Sequence, residues 1–218
     1  MILIEFIGLP GAGKSFFSQK LISKILLFKK VKSEKYLKLS YIKKFFLLIN
    51  FFFENTIFVL LLLLLHYKNK NLDKTWKNRH IYFLKNEFLK YQYYKSTDLI
   101  LVNSEGFHYR TLFYLSGILK DESNKVARML VHYTPKPDYL ILIKINKKNS
   151  IKSTKKRKKG FKYDAQSIKG IQQNIKTLNF IKKSIYKYEK INFIIMDQKN
   201  STKINLDILK NKILNKIK

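Results

Sequence analysis

Eight residues near the N-terminus carry the clearest chemical signal in the chain. Gly8-Leu9-Pro10-Gly11-Ala12-Gly13-Lys14-Ser15 satisfies the spacing G-x-x-x-x-G-K-[ST] at every fixed position. Glycines in such a loop let the backbone wrap closely round a phosphate chain and adopt dihedrals that a side chain would forbid. Successive main-chain N–H groups then point at the anion, with the first turn of a helix behind them. A lysine at this place can reach the β- and γ-phosphates, and the hydroxyl after it can ligate an accompanying Mg²⁺. Gly8, Pro10, Gly11, Ala12, Gly13, Lys14, Ser15 and Phe16 are therefore the expected triphosphate-binding residues, with Lys14 also catalytic and Ser15 also a metal ligand.

Acid–base or metal chemistry has its best candidate in Glu105. It follows the apolar run Leu99-Ile100-Leu101-Val102-Asn103 almost directly, and Gly106 beside it permits a tight turn. A carboxylate there can accept a proton from an attacking hydroxyl or hold Mg²⁺ through water. It would equally suit the free N–H groups of a following helix. Arg110, one helical turn further on, is placed to clamp a phosphate or an acceptor, whereas His108, Arg128 and Arg79 stand alone and carry weaker expectations. The basic cluster Lys155-Lys156-Arg157-Lys158-Lys159-Gly160 can close over transferring phosphate and exclude water, or be a solvated loop in a lysine-rich chain. Arg157 is the preferred clamp, since a guanidinium contacts phosphate bidentately. Many phosphate-loop proteins end a second core strand in Asp; here Asn103-Ser104 stands instead, Asp98 is at the wrong end, and Asp197 reads as a loop residue. Either Glu105 takes over the missing duty or the protein binds nucleotide with little turnover.

These residues need elements to hold them. Residues 2–7, ILIEFI, form a short apolar run, and the segment after the glycine loop places Phe17, Leu21, Ile25 and Phe28 on one helical face. Further strands are expected at 99–103, 139–145 and 191–196, with helices over about 72–95, 107–119, 168–188 and the C-terminal segment. Apolar strands separated by helices predict a parallel sheet covered on both faces, with the ligand beyond the carboxyl ends of the strands. Ser15 and Glu105 both fall at those ends. Residues 31–44 have no firm assignment.

Composition sets the outer limits. With 218 residues and 46% hydrophobic content the chain can bury one sizeable core, so a single domain over 1–218 is expected. There is no cysteine, which removes disulfides, thiolate nucleophiles and cysteine-based zinc sites and suits a cytoplasmic protein. No secretion signal precedes the first strand. A net charge of +31 predicts nonspecific attraction to polyanions, yet the lysines are spread along the chain rather than gathered. Residues 45–65, FFLLINFFFENTIFVLLLLLL, approach the length of a membrane span, but Asn50, Glu54, Asn55 and Thr56 interrupt them. Two broken helices over about 41–68, packed on the sheet or lying against a bilayer or protein partner, fit better than a span.

GLPGAGKS after a first strand, SEG at the end of a later one, PKPDYLILIKI, and a basic segment ending RKKG together resemble the P-loop kinases of small molecules, above all thymidylate-kinase-like and nucleoside or nucleotide kinase-like proteins. The resemblance implies a three-layer α/β P-loop NTPase fold with a five-stranded, mostly parallel sheet, using ATP and Mg²⁺ to phosphorylate a hydroxyl or phosphate acceptor. It implies that Gly8, Gly11, Gly13, Lys14 and Ser15 hold the donor phosphates. It also implies that Glu105 is the carboxylate deoxynucleoside kinases place after the corresponding strand, and that Arg157 belongs to a basic lid over about 147–163. The arginine those kinases carry directly after the glutamate is Gly106 here, and the Asp-Arg pair of thymidylate kinases is absent. The segment 45–65 matches no acceptor pocket of the family. The expected function is an ATP-dependent small-molecule kinase, with a homodimer as one expected assembly. The alternative is a regulatory nucleotide-binding module that meets a membrane or partner through 45–65, and a nucleic-acid-directed kinase or ATPase ranks third.

Overall fold

The computed structural model describes residues 1–26, 30–32, 37–68, 74–118, 125–155, 168–188, 192–197 and 203–217. Strand β1 (Ile2–Ile7) lies at the centre of a five-stranded sheet, flanked by β3 (Ile100–Asn103) and β4 (Tyr139–Lys144). β2 (Val31–Lys32) lies outside β3 and β5 (Asn192–Asp197) outside β4, giving the order β2-β3-β1-β4-β5 with every pairing parallel. The β1–β3 register sets Glu5 opposite Asn103, which brings the chemistry-bearing ends of the two strands level.

Strand alternation sends side chains to two separate cores. Ile4 and Phe6 face α1 (Lys14–Ile25) and α9 (Lys203–Ile217), where they pack with Phe17, Leu21, Leu209 and Ile213. Ile7, Leu140 and Leu142 face the opposite layer, with α5 (Phe107–Ile118), α6 (Lys125–Tyr133) and α8 (Ile168–Tyr188). Helices on both faces of a parallel sheet make the three-layer α/β architecture of P-loop NTPases, as expected. At the amino end of β1, the Leu3 N–H donates to Asp138 Oδ2 at 2.9 Å, tying the strand to the turn before β4.

The hydrophobic stretch forms two helices, α2 (Tyr41–Glu54) and α3 (Thr56–Lys68), meeting at 97°. Ser40 caps α2, its hydroxyl accepting from Lys43 N–H. The break falls at Asn55, whose side-chain amide and backbone N–H both donate to the Phe51 carbonyl. Contrary to the expectation of packing on the sheet, the pair lies chiefly on α4 (Lys74–Tyr94) and α6, one layer further out. Phe51 stacks on Phe88 of α4 at 4.1 Å and on Phe107 of α5 at 5.8 Å. Among the described residues no single helix is long and apolar enough to cross a membrane.

Candidate active site

The glycine loop links β1 to α1. Gly13, the N-cap of α1, sits in the left-handed region at φ 87°, which turns the chain sharply into the helix. The helical ladder begins with Phe17 N–H donating to the Gly13 carbonyl. The N–H groups of Lys14, Ser15 and Phe16 therefore precede the ladder, at the N-terminus of the helix. The Lys14 side chain is buried, its ammonium donating to the Gly8 and Leu9 carbonyls at 3.1 and 3.0 Å and lying 4.3 Å from the centre of the Tyr109 ring. Phe16 projects outward, with the Lys20 ammonium over its ring.

The loop has a second support that its own sequence does not announce. The fully buried Ser150, on α7 (Lys147–Lys155), donates its hydroxyl to the Pro10 carbonyl at 2.7 Å. α7 thus brings the start of the basic 147–163 segment against the phosphate loop. Arg157 and residues 156–163 lie outside the described residues.

Ser15, Glu105 and Arg110 line one cavity of about 270 Å³, together with Gln19, Phe83 and Glu87. This brings Ser15 together with Glu105 and Arg110, which are distant from it in the sequence, beyond the carboxyl ends of β1 and β3. Glu105 accepts from Arg110 at 2.5 Å, and the Arg110 guanidinium lies 4.1 Å from the centre of the Phe83 ring. The buried Arg110 Nε has no hydrogen-bond partner among the described residues. The arginine is therefore oriented by a carboxylate and an aromatic face, while its buried Nε–H stays unpaired among the described residues.

Glu5 takes the helix-capping part that Glu105 was also considered for. Completely buried on β1, it accepts from the Phe107 and His108 backbone N–H groups at 2.7 and 3.1 Å, and its Oε2 lies 3.0 Å from His108 Nδ1. A carboxylate at this helix N-terminus satisfies two free donors and meets the positive end of the dipole. Gly106 makes this possible, because a Cβ there would come within 2.4 Å of the Glu5 carboxyl. A side chain at position 106 would therefore require the Glu5 carboxyl to move. His108, weighed as a substrate contact, is instead the 2%-exposed partner of Glu5.

Behind the cavity lies a buried charged cluster. Glu87 on α4 pairs with Lys90 at 2.5 Å, and Asn103 donates to Glu87 at 3.1 Å while accepting from Lys90 at 3.4 Å. Burial pushes the Glu87 carboxyl up to about 6, against the pull of the neighbouring Lys90 and Arg110 cations. The neutral strand-end Asn103 therefore touches a carboxylate supplied by a helix. A Glu and a Lys three residues apart look like an ordinary exposed helix pair, and only tertiary packing shows otherwise. Arg128 lies exposed on α6, outside this cavity's lining, and the Arg79 side chain lies outside the described residues.

A second cavity of about 540 Å³ opens on the other side of the loop, where Leu9, Asn146, Lys147, Lys182 and Asp197 converge at the ends of β4 and β5. Asp197, read as a loop residue, forms part of its wall. Two spaces thus flank the phosphate loop, one beside β3 and one beside β4 and β5.

No protein-family profile and no curated protein matches the chain. Solved structures do. The deoxyadenosine kinase from M. mycoides with bound dATP aligns at 17% identity and a TM-score of 0.58, covering 97% of this chain and 99% of that one. The same kinase with the products dCMP and dCDP gives 17% and 0.59, covering 98% and 100%. With bound dCTP it gives 15% and 0.54, again covering 98% and 100%. At these identities the likeness is one of fold, and this chain shares the architecture of those kinases over nearly the whole length of both.

Proposed function

We propose that the protein is an ATP-dependent kinase that transfers the γ-phosphoryl group to a nucleoside, a nucleotide or another small hydroxyl or phosphate acceptor. The observation that carries this reading is the shared cavity, which is lined both by Ser15, the residue after the phosphate-loop lysine, and by the Glu105–Arg110 pair. The donor triphosphate lies along the loop and the N-terminus of α1, its base toward the space between Leu9 and Asp197. The acceptor enters the Phe83-lined cavity, where Glu105 takes the proton of its hydroxyl as the oxygen–phosphorus bond forms. The bond from Pγ to the bridging oxygen breaks in line and ADP leaves. Lys14 turns from the loop carbonyls to the phosphates, and Arg110 holds the developing charge on the equatorial oxygens.

Among the described residues no three His, Cys, Asp or Glu side chains converge, so Mg²⁺ would be held chiefly by phosphate oxygens and water, with the Ser15 hydroxyl and Glu105 as protein donors. Bound there, the ion would neutralise phosphate charge. A basic lid carrying Arg157 would complete the clamp. The single-domain organisation and a cytoplasmic location belong to the same reading. The M. mycoides structures, with dATP, dCTP or dCMP, make deoxynucleosides and their phosphates the first acceptors to try.

The test is ADP release from ATP-Mg across a panel of nucleosides, nucleotides and sugars. Acceptor-dependent release that falls at least a hundredfold in Glu105→Gln is expected. Slow, acceptor-independent hydrolysis by folded, ATP-binding protein would instead favour a regulatory nucleotide-binding module.

A further inference from the structure

The two helices of the hydrophobic stretch carry apolar residues on more than one face, yet only one side of each is covered. Phe51, Phe58, Leu62 and Leu65 point into the core. On the other side of α2, Ile42, Phe45, Phe46 and Phe53 are 72, 60, 58 and 73% exposed, at the three- and four-residue steps of a single stripe. On α3 a second stripe follows with Ile57, Leu60, Leu64 and Tyr67, all exposed. Isolated exposed apolar residues are ordinary, but two contiguous stripes on adjoining helices mark an interaction surface.

Charge decides between the occupants. Lys43 and Lys44 stand in the first turn of α2, and Lys68 ends α3, in a chain of net charge +31. The acid within the stretch, Glu54, is held by Lys95 at 2.6 Å and Gln92 at 3.1 Å on α4. A second copy would gather two sets of these lysines into one interface, because an isologous interface pairs a patch with itself, and would offer them no added acid. An acidic bilayer meets both features at once, its acyl boundary taking the phenylalanines and leucines and its headgroups the lysines. Geometry fixes the manner of contact. Each helix is only about 20 Å long against a hydrocarbon core of about 30 Å. With Phe51 and Phe58 turned into the core, each helix keeps one side on the protein and offers only its outer stripe to the interface.

We infer that the exposed face of α2 and α3 is a docking surface for anionic lipid, laying the protein on a membrane without spanning it. The docking needs no catalysis and stands apart from the kinase reading.

The chain has no cysteine, so a single introduced thiol reports cleanly. An environment-sensitive fluorophore on Ile42→Cys should shift to the blue with phosphatidylcholine vesicles containing phosphatidylglycerol. The same label on Ile208→Cys, on α9, should not. Because any strongly basic protein is drawn to acidic vesicles, the decisive variant keeps every charge. Phe45→Ser, Phe46→Ser and Phe53→Ser combined should weaken vesicle co-sedimentation at least tenfold, with the thermal midpoint and ATP binding unchanged. Undiminished vesicle binding by that variant, or a label at position 42 that stays in water, overturns the proposal. So does a concentration-dependent dimer that the same substitutions dissociate, which would make a second copy the occupant.

Discussion

Lys14 makes its contacts with the loop it is meant to serve, donating to the Gly8 and Leu9 carbonyls. Each such bond contributes about 1 kcal/mol net, so Lys14→Ala should leave the fold intact. Kinase turnover should nevertheless fall by roughly a hundredfold or more, the usual loss for a group that stabilises transition-state charge. Circular dichroism beside an ADP-release assay checks both halves, and retained turnover would remove the lysine from its assigned role. Glu87 allows a pH prediction. Its carboxyl in the folded state, near 6, lies above the ordinary value of 4.5, so the native state binds this proton more tightly than the unfolded chain. The contribution is complete below 4.5 and is lost as pH rises through about 6, a change of about 2 kcal/mol. Glu87→Gln should cost about 3 kcal/mol at neutral pH by leaving the buried Lys90 ammonium facing a neutral amide. Combined with Lys90→Met it should recover most of that and flatten the pH dependence between 4.5 and 6. Denaturant melts at several pH values decide it, and an unchanged slope in the double variant would show that another group titrates there.

At the scale of elements, α7 shows how a segment can matter before its basic residues are considered. Ser150→Ala removes the hydroxyl that holds the Pro10 carbonyl and leaves that buried acceptor without this donor. A stability loss of about 1–3 kcal/mol and a raised KM for ATP with a smaller change in kcat are expected. An unaltered KM would mean that α7 does not position the loop. The elements themselves were largely legible in the sequence. β1, β3 and β4 are apolar runs because the middle of a parallel sheet is buried on both faces, while the edge strand β5 is apolar with only Met196 fully buried; the observed bounds of all four fall within a residue of those expected. β2 escaped, since Val31–Lys32 is two residues long, pairs at the sheet edge and leaves Lys32 exposed. The break at Asn55 was readable from its polar neighbours, but the stacking of Phe51 on Phe88 and Phe107 was not, because helix partners depend on tertiary packing. The site divides in the same way. The glycine loop is local chemistry and stood out at once, whereas Glu5 inside ILIEFI, Ser150, and the Glu87–Lys90 pair acquire their parts only through residues distant in sequence.

For the molecule as a whole, two opposing charge effects must coexist. A parallel sheet with its active ends together suits a ligand carrying several negative charges, and a surface at +31 draws such ligands in. The same charge repels itself, however, and destabilises the compact state, most of all where salt is scarce and the Debye length is about 30 Å. Raising the ionic strength to 0.1 M shortens that length to about 10 Å and should screen this repulsion far more than it weakens close, buried contacts such as Lys90–Glu87. The thermal midpoint should therefore rise steadily with sodium chloride at constant pH. Added ATP-Mg should raise it further by specific binding, equivalent to about 2.7 kcal/mol at a hundred times Kd. The two contributions separate by their dose response: screening is shared by any salt of the same ionic strength, whereas binding saturates and should be lost in Lys14→Ala. A midpoint indifferent to salt would show that the lysines are compensated in the fold. A triphosphate effect that survives Lys14→Ala in full would make it general polyanion attraction and leave the phosphate loop without its ligand.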